Sequence, residues 1–230
     1  MNAPLPRPDP IQSVSPSAPA GSDPLAPLRS RGWLTEAQRK AIHLCALILP
    51  LAILHQWTAW PRGKHQWAAL LIALTAIAVL IDLVRVNHSR VKQFFKSFFG
   101  EMIREHEQFN LLGSTYLLIA STLAVEIFSQ PIAAAAIGFT VLGDGLAALV
   151  GRGWGRTKIF NKSLEGALGG LAGCLAWASF LALRGHLPWA VVLSGALVAV
   201  LVEILPIPLD DNLGITLISG YVMRALWSPA

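Results

Sequence analysis

Residues 132–162 read IAAAAIGFTVLGDGLAALVGRGWGRTKIFNK. Twelve uncharged residues lead into Asp144, which stands between Gly143 and Gly145. A run of about 20 apolar residues is what a transmembrane helix needs. An ionisable side chain inside such a run is costly, so it faces the bundle interior and marks a site. Gly143 and Gly145 permit close approach of the backbone or of a neighbour. Asp144 and Gly151 are seven residues apart and share a helical face. After Val150 the composition changes abruptly to glycine and positive charge: Gly151, Arg152, Gly153, Gly155, Arg156, Lys158 and Lys162. A polyphosphate site needs these residue types. A carboxylate holds Mg2+, glycines admit the phosphates, and Arg and Lys neutralise their oxygens. A basic loop alone would read as a solvated connection, and the membrane-depth Asp144 beside it points to chemistry.

The rest of the chain fits a lipid-solvated fold. Of 230 residues, 54% are hydrophobic and 13% charged, about half the ~25% charged share of soluble domains. Mean hydropathy is +0.55. The pattern predicts an all-α, polytopic membrane helical bundle with about seven spans plus one interfacial amphipathic helix. The spans are read over 41–60, 66–84, 111–129, 132–150, 164–183, 189–205 and 213–227. Pro131 and Pro188 open the fourth and sixth, where a missing N–H costs little. Trp57, Trp60, Trp67, Trp189 and Trp227 fall near span ends, as an aromatic belt does. Residues 1–30, rich in Pro, Ser and Ala, form an expected disordered tail. Residues 31–230 form one membrane domain. Cys45 and Cys174 lie in apolar runs and read as packing residues.

Over 89–109, Val91, Phe94, Phe95, Phe98, Phe99, Met102 and Ile103 recur at helical spacing. Arg90, Lys92, Lys96, Glu101 and Arg104 lie off that face. This helix is expected to lie on the membrane surface.

The net charge of +5 reads as a topology signal and an attraction to anionic lipid rather than to nucleic acid. Five Lys and Arg precede the first span, five lie between the second and third, and four between the fourth and fifth, against four on the opposite face. The expected topology has a cytoplasmic N-terminus and an external C-terminus, in the plasma or inner membrane.

Three further polar clusters fall on that same cytoplasmic face. Arg39, Lys40 and His43 enter the first span. Arg39 and His43 share a helix face, although Arg39 and Lys40 alone also suit a positive flank. Asp82 and Arg85, three residues apart, end the second span as an ion pair, either functional or purely structural. Glu203, Pro206, Pro208, Asp210, Asp211 and Asn212 break the chain before the last helix. Asp211 or Asn212 is expected to cap that helix, and Glu203, Asp210 and Asp211 offer further carboxylates. Gly166, Gly170 and Gly173 read as helix-packing positions.

These motifs together resemble the CTP-dependent lipid kinases: dolichol kinase, yeast-type diacylglycerol kinase and phytol kinase. The resemblance covers about residues 39–221. It rests on Arg39-Lys40 with His43, Asp82 with Arg85, Gly143-Asp144 through Gly151, Lys162-Ser163-Leu164-Glu165-Gly166, and Asp211-Asn212. Arg104-Glu105 followed by Leu112-Gly113-Ser114-Thr115-Tyr116 is also similar, with Leu112 a departure from the Thr of many relatives. The resemblance implies CTP as donor, a divalent metal such as Mg2+, and a lipid alcohol as acceptor: diacylglycerol, polyprenol or phytol. On this reading Asp144, Asp211 and Asn212 serve the metal. Arg39, Lys40, Gly143, Gly145, Gly151, Arg152, Lys158 and Ser163 serve the nucleotide phosphates. Lys162 and Glu165 act with Asp144, and Asp82, Arg85 and His43 complete the catalytic set. Asp82, His43 or Glu203 would orient the acceptor hydroxyl. Phosphatidate cytidylyltransferases share a related Gly-Asp segment, but their fuller signature is missing after it. A transporter of an anionic solute is the rival from another class. Transporter sites lie near the midplane, often between inverted repeats, whereas these motifs gather on one face.

Overall fold

The computed structural model of the chain describes residues 31–56, 59–99, 103 and 106–227. The expected disordered tail, Trp57, Glu101, Met102, Arg104 and Glu105 lie outside the described residues. The chain folds into a helical bundle: α1 (Arg31–Cys45), α2 (Ile48–His55), α3 (Gly63–Asn87), α4 (Ser89–Phe99), α5 (Gly113–Ile127), α6 (Gln130–Trp154), α7 (Leu164–Leu183), α8 (Trp189–Ile204) and α9 (Asp211–Leu226). A two-stranded hairpin, β1 (Lys158–Ile159) with β2 (Lys162–Ser163), lies between α6 and α7. The all-α membrane bundle expected from the sequence is the fold found. Among the described residues, four helical segments are long and apolar enough to cross a membrane: Thr35–His55, Gly63–Asn87, Gln130–Trp154 and Leu164–Leu183. Gly113–Ile127 and Trp189–Ile204 are shorter apolar helices.

The bundle is built around α6, which packs on α7, α9, α1, α2, α5 and α8. Its side chains explain why. Ala133, Ala134, Ala135 and Ala136 are fully buried, and small residues let helix backbones approach closely. At Gly138 a Cβ would lie 2.1 Å from the Trp177 indole of α7. At Gly170 a Cβ would meet the Gly143 carbonyl at 3.0 Å. Large apolar residues occur on both sides: Phe128, Phe139, Ile137 and Leu181 are buried, while Ile77 and Leu80 of α3, Leu168 of α7, and Leu197 and Leu201 of α8 are exposed. Small residues at the helix contacts and Leu or Ile exposed on the outer faces suit a lipid solvent, since lipid tails are as apolar as Leu. Two hydroxyl pairs join helices, the buried Thr140 with Thr216 at 2.6 Å and the half-buried Thr75 with Thr122 at 2.8 Å.

Three boundaries differ from expectation. The first span is two helices, broken by a turn at Ala46 and Leu47. Pro50, which follows closely, has no N–H to give back to the preceding turn. Among the described residues the surface helix is found over Ser89–Phe99, and His106–Gln108 form a 3-10 turn in place of further helix toward 109. Phe94, Phe98 and Phe99 of α4 are exposed. The last helix is capped by Asp210, whose carboxylate accepts from the Asn212 N–H at 2.9 Å. The cap therefore sits one residue before Asp211 and two before Asn212, and Asp211 is left to face elsewhere. Both cysteines are free, Cys174 buried and Cys45 exposed.

Candidate functional site

Asp144 lies ten residues before the end of α6, about 15 Å along the helix at 1.5 Å per residue. Helix α1 seats against it because Gly145 has no side chain: a Cβ there would lie 2.9 Å from Leu44. That contact brings Lys40 onto the Asp144 carboxylate as a buried ion pair, with His43 Nε2 3.6 Å from the same oxygen.

Two other carboxylates approach from the far side. Glu203 sits in the last turn of α8. Leu205-Pro206-Ile207-Pro208 then interrupts the helix, because a residue before proline is disfavoured in the helical region. The chain restarts at Asp210, and Asp211 faces Glu203 across the break. Carboxylate oxygens of Asp144, Glu203 and Asp211 lie within 4.8 Å of one another. Glu203 Oε2 is buried with no hydrogen-bond partner. Three converging carboxylates with an orphaned oxygen form the hard oxygen donor set that a divalent cation such as Mg2+ takes.

The basic loop lies against this acidic cluster. The hairpin turns through Phe160, at φ 52°. Glu165 of α7 holds the loop, accepting from the N–H groups of Arg156 at 3.0 Å and Thr157 at 3.1 Å. Ser163 caps α7 by accepting from the Gly166 N–H. The fold of the loop brings Lys162 Nζ to 2.8 Å from Glu203 Oε1 and 3.0 Å from Asp211 Oδ2. Burial pushes the Lys162 ammonium down, but these two carboxylates outweigh it and hold the group above the ordinary lysine value. Burial likewise pushes the Asp210 carboxyl up. Between loop and carboxylates lies a cavity of about 280 Å³. Asp144, Glu203 and Asp211 line its acidic side, and Arg152, Lys158 and Lys162 its basic side. Ala147, Ala148, Ala167 and Ile204 supply apolar wall.

The sequence-predicted residues divide accordingly. Asp144, Gly151, Arg152, Lys158, Lys162, Ser163 and Asp211 line the cavity, as does Glu203. Lys40 and His43 stand behind Asp144. Arg39 pairs with Glu36, and Glu36, also 3.5 Å from Arg152 Nη2, is a cavity residue that the sequence reading did not single out. Gly143 and Gly145 are not on the cavity wall. One helical step from Asp144 points them about 100° away, against Cys174 and Leu44 of neighbouring helices. Glu165 secures the loop backbone and is not on the cavity wall. Asn212 gives its amide to the Gly113 carbonyl and to Asp210, and the third carboxylate at the cluster is Glu203 in its place.

Asp82 and Arg85 lie elsewhere, almost fully buried. Arg85 Nε donates to Asp82 at 2.9 Å, and its two Nη atoms donate to the carbonyls of Glu107 and Asn110 at 2.9 and 2.6 Å. The other Asp82 oxygen accepts from Leu112 N–H and Thr115 Oγ. The pair fastens the 106–112 segment to α3 and the start of α5.

No family model matches the chain, and no solved structure matches it. Curated relatives do. A probable phytol kinase 3, chloroplastic, of Glycine max is 31% identical over 79% of this chain and 60% of its own length. A farnesol kinase, chloroplastic, of Arabidopsis thaliana is 29% identical over 79% of this chain and 62% of its own. An uncharacterised protein of Rickettsia prowazekii is 30% identical over 57% of this chain and 63% of its own. The chain spans about three-fifths of the length of these relatives. The resemblance read from the motifs is borne out as a similarity: the chain matches phytol and farnesol kinases over about four-fifths of its own length.

Proposed function

We propose that the chain transfers a phosphoryl group from a nucleoside triphosphate, CTP by family resemblance, to the hydroxyl of a lipid alcohol at the cytoplasmic membrane face. The observation that carries this reading is the apposition of Asp144, Glu203 and Asp211 to Arg152, Lys158 and Lys162 around one cavity at the end of a membrane bundle. The names of the relatives favour an isoprenoid alcohol of the phytol or farnesol kind as acceptor, ahead of diacylglycerol.

Phosphoryl transfer asks a protein for positioning and charge neutralisation more than for covalent chemistry. Asp144 and Asp211 would hold a divalent cation, which when bound neutralises phosphate charge, and this leaves the Glu203 Oε2 for the acceptor alcohol. Arg152, Lys158 and Lys162 bind phosphate oxygens, and Gly151 and Gly155, where a Cβ would meet the Ser163 hydroxyl at 3.0 and 2.6 Å, let the loop pack against Ser163 at the start of α7. Lys40 fixes the Asp144 carboxylate from behind. The alcohol enters from the lipid with its hydroxyl at the cavity. The buried Glu203 Oε2 accepts its hydrogen bond and takes its proton as the new O–P bond forms and the bond from the γ-phosphorus to the bridging oxygen breaks. The nucleoside diphosphate is the leaving group. The test is incubation of purified chain with CTP or ATP and a panel of lipid alcohols, reading the lipid phosphate. Phosphorylation of an isoprenoid alcohol supports the reading, and the absence of any lipid phosphate with either nucleotide contradicts it.

A further inference from the structure

We infer that Asn212 is a positioning residue that sets the Asp211 carboxylate, and that the buried Asp82–Arg85 pair acts on the site through it. This rests on the carboxylate cluster being the cation site proposed above.

Asp211 needs help to hold its place. It opens α9 directly after the Pro206 and Pro208 break, its side chain is 41% exposed, and first turns of helices fray. The Asp210 cap makes the helix start but does not fix where that start sits relative to α6. Asn212 does. Its Nδ2 donates to the Gly113 carbonyl at 3.2 Å and to Asp210 at 2.9 Å, tying the head of α9 to the head of α5. Gly113 is itself anchored, since its N–H donates to Glu107 Oε1 at 3.0 Å. The Glu107 carbonyl accepts from Arg85, and the next backbone N–H before Gly113, that of Leu112, donates to Asp82. A continuous set of hydrogen bonds thus runs from α3 through the 106–113 segment to the residue beside Asp211. The residues in it are buried: Asp82, Arg85, Glu107, Thr115 and Asn212 are each at most 7% exposed. Of the Asn212 amide only Oδ1 is left without a partner; the buried bonds made by its Nδ2 give a fixed geometry, and outer hydrogen bonds of this kind tune cation affinity.

The test uses the full chain in nanodiscs with Mn2+ alone as the probe, its binding read by electron paramagnetic resonance without nucleotide. Asn212→Ala and Glu107→Ala are expected to weaken Mn2+ binding by about 10-fold, the lower end for loss of an outer hydrogen bond, while Asp211→Asn abolishes it. Should Asn212→Ala fail to fold, Glu107→Ala reads the same link from its other end. Unchanged affinity in these variants while Asp211→Asn loses binding overturns the positioning role and leaves the cation site standing. If the unsubstituted chain binds no Mn2+, or Asp211→Asn binds it normally, the cation site falls and the inference with it.

Discussion

Lys162 reaches across the cavity to Glu203, its Nζ 2.8 Å from Oε1, and the same ammonium lies 3.0 Å from Asp211. One cation from the loop thereby joins the ends of α8 and α9. Replacing it with Ala removes charge from the phosphates and is expected to lower turnover by about 100-fold, the scale for one main electrostatic group. Measured kinase rates on the folded variant check this.

The same contact has a pH signature. The Lys162 value is raised above the ordinary 10.5, so its stabilising effect is fully present below that pH and lost as the pH rises through the folded-state value. Thermal melts of the chain should show an alkaline loss of stability above about pH 10 that is smaller in Lys162→Gln. Melting curves of the two proteins that fall in parallel would contradict it.

Arg85→Met tests the structural reading of the buried pair. It leaves Asp82 uncompensated in the interior, a loss of about 3–5 kcal/mol, and frees the carbonyls of Glu107 and Asn110. The double variant Asp82→Leu with Arg85→Met removes both charges and should recover part of that stability. Denaturation of both in detergent measures the difference.

The exposed Phe94 and Phe98 of α4 provide the next test. With Lys92 and Lys96 beside them, they suit a helix lying at the lipid surface. Phe94→Asp with Phe98→Asp should raise solvent labelling of cysteines placed along α4, because the apolar face no longer partitions. Labelling equal to that of the parent would place α4 away from the bilayer.

Much of this was legible in the residues, for identifiable reasons. Asp144 announced itself because a charge interrupts an apolar run, and Arg152, Lys158 and Lys162 because a basic, glycine-rich loop follows. Partners were harder to read than charges. Asp82 and Arg85 looked equally suited to catalysis and to structure, and the carbonyls of Glu107 and Asn110 that saturate Arg85 come from 22 and 25 residues away. Asp210, Asp211 and Asn212 are all good helix caps, so sequence alone could not tell which caps and which faces Glu203. Gly143 and Gly145 flank Asp144 in sequence, yet the helical step turns both toward neighbouring helices. Glu36 carried no pattern of its own; its role follows from where α1 docks on α6.

Asp144→Asn tests the account most directly. Asn keeps the size of the side chain and one acceptor oxygen but removes the negative charge at the centre of the carboxylate cluster. The measurement is transfer of labelled γ-phosphate from CTP to phytol or farnesol by the purified, correctly inserted variant beside the unsubstituted chain. The account predicts a loss of at least about 100-fold with the helical signal and membrane insertion retained. Near-normal transfer by a well-folded Asp144→Asn protein would contradict it, and the loop from Arg152 to Lys162 would then be a solvated connection.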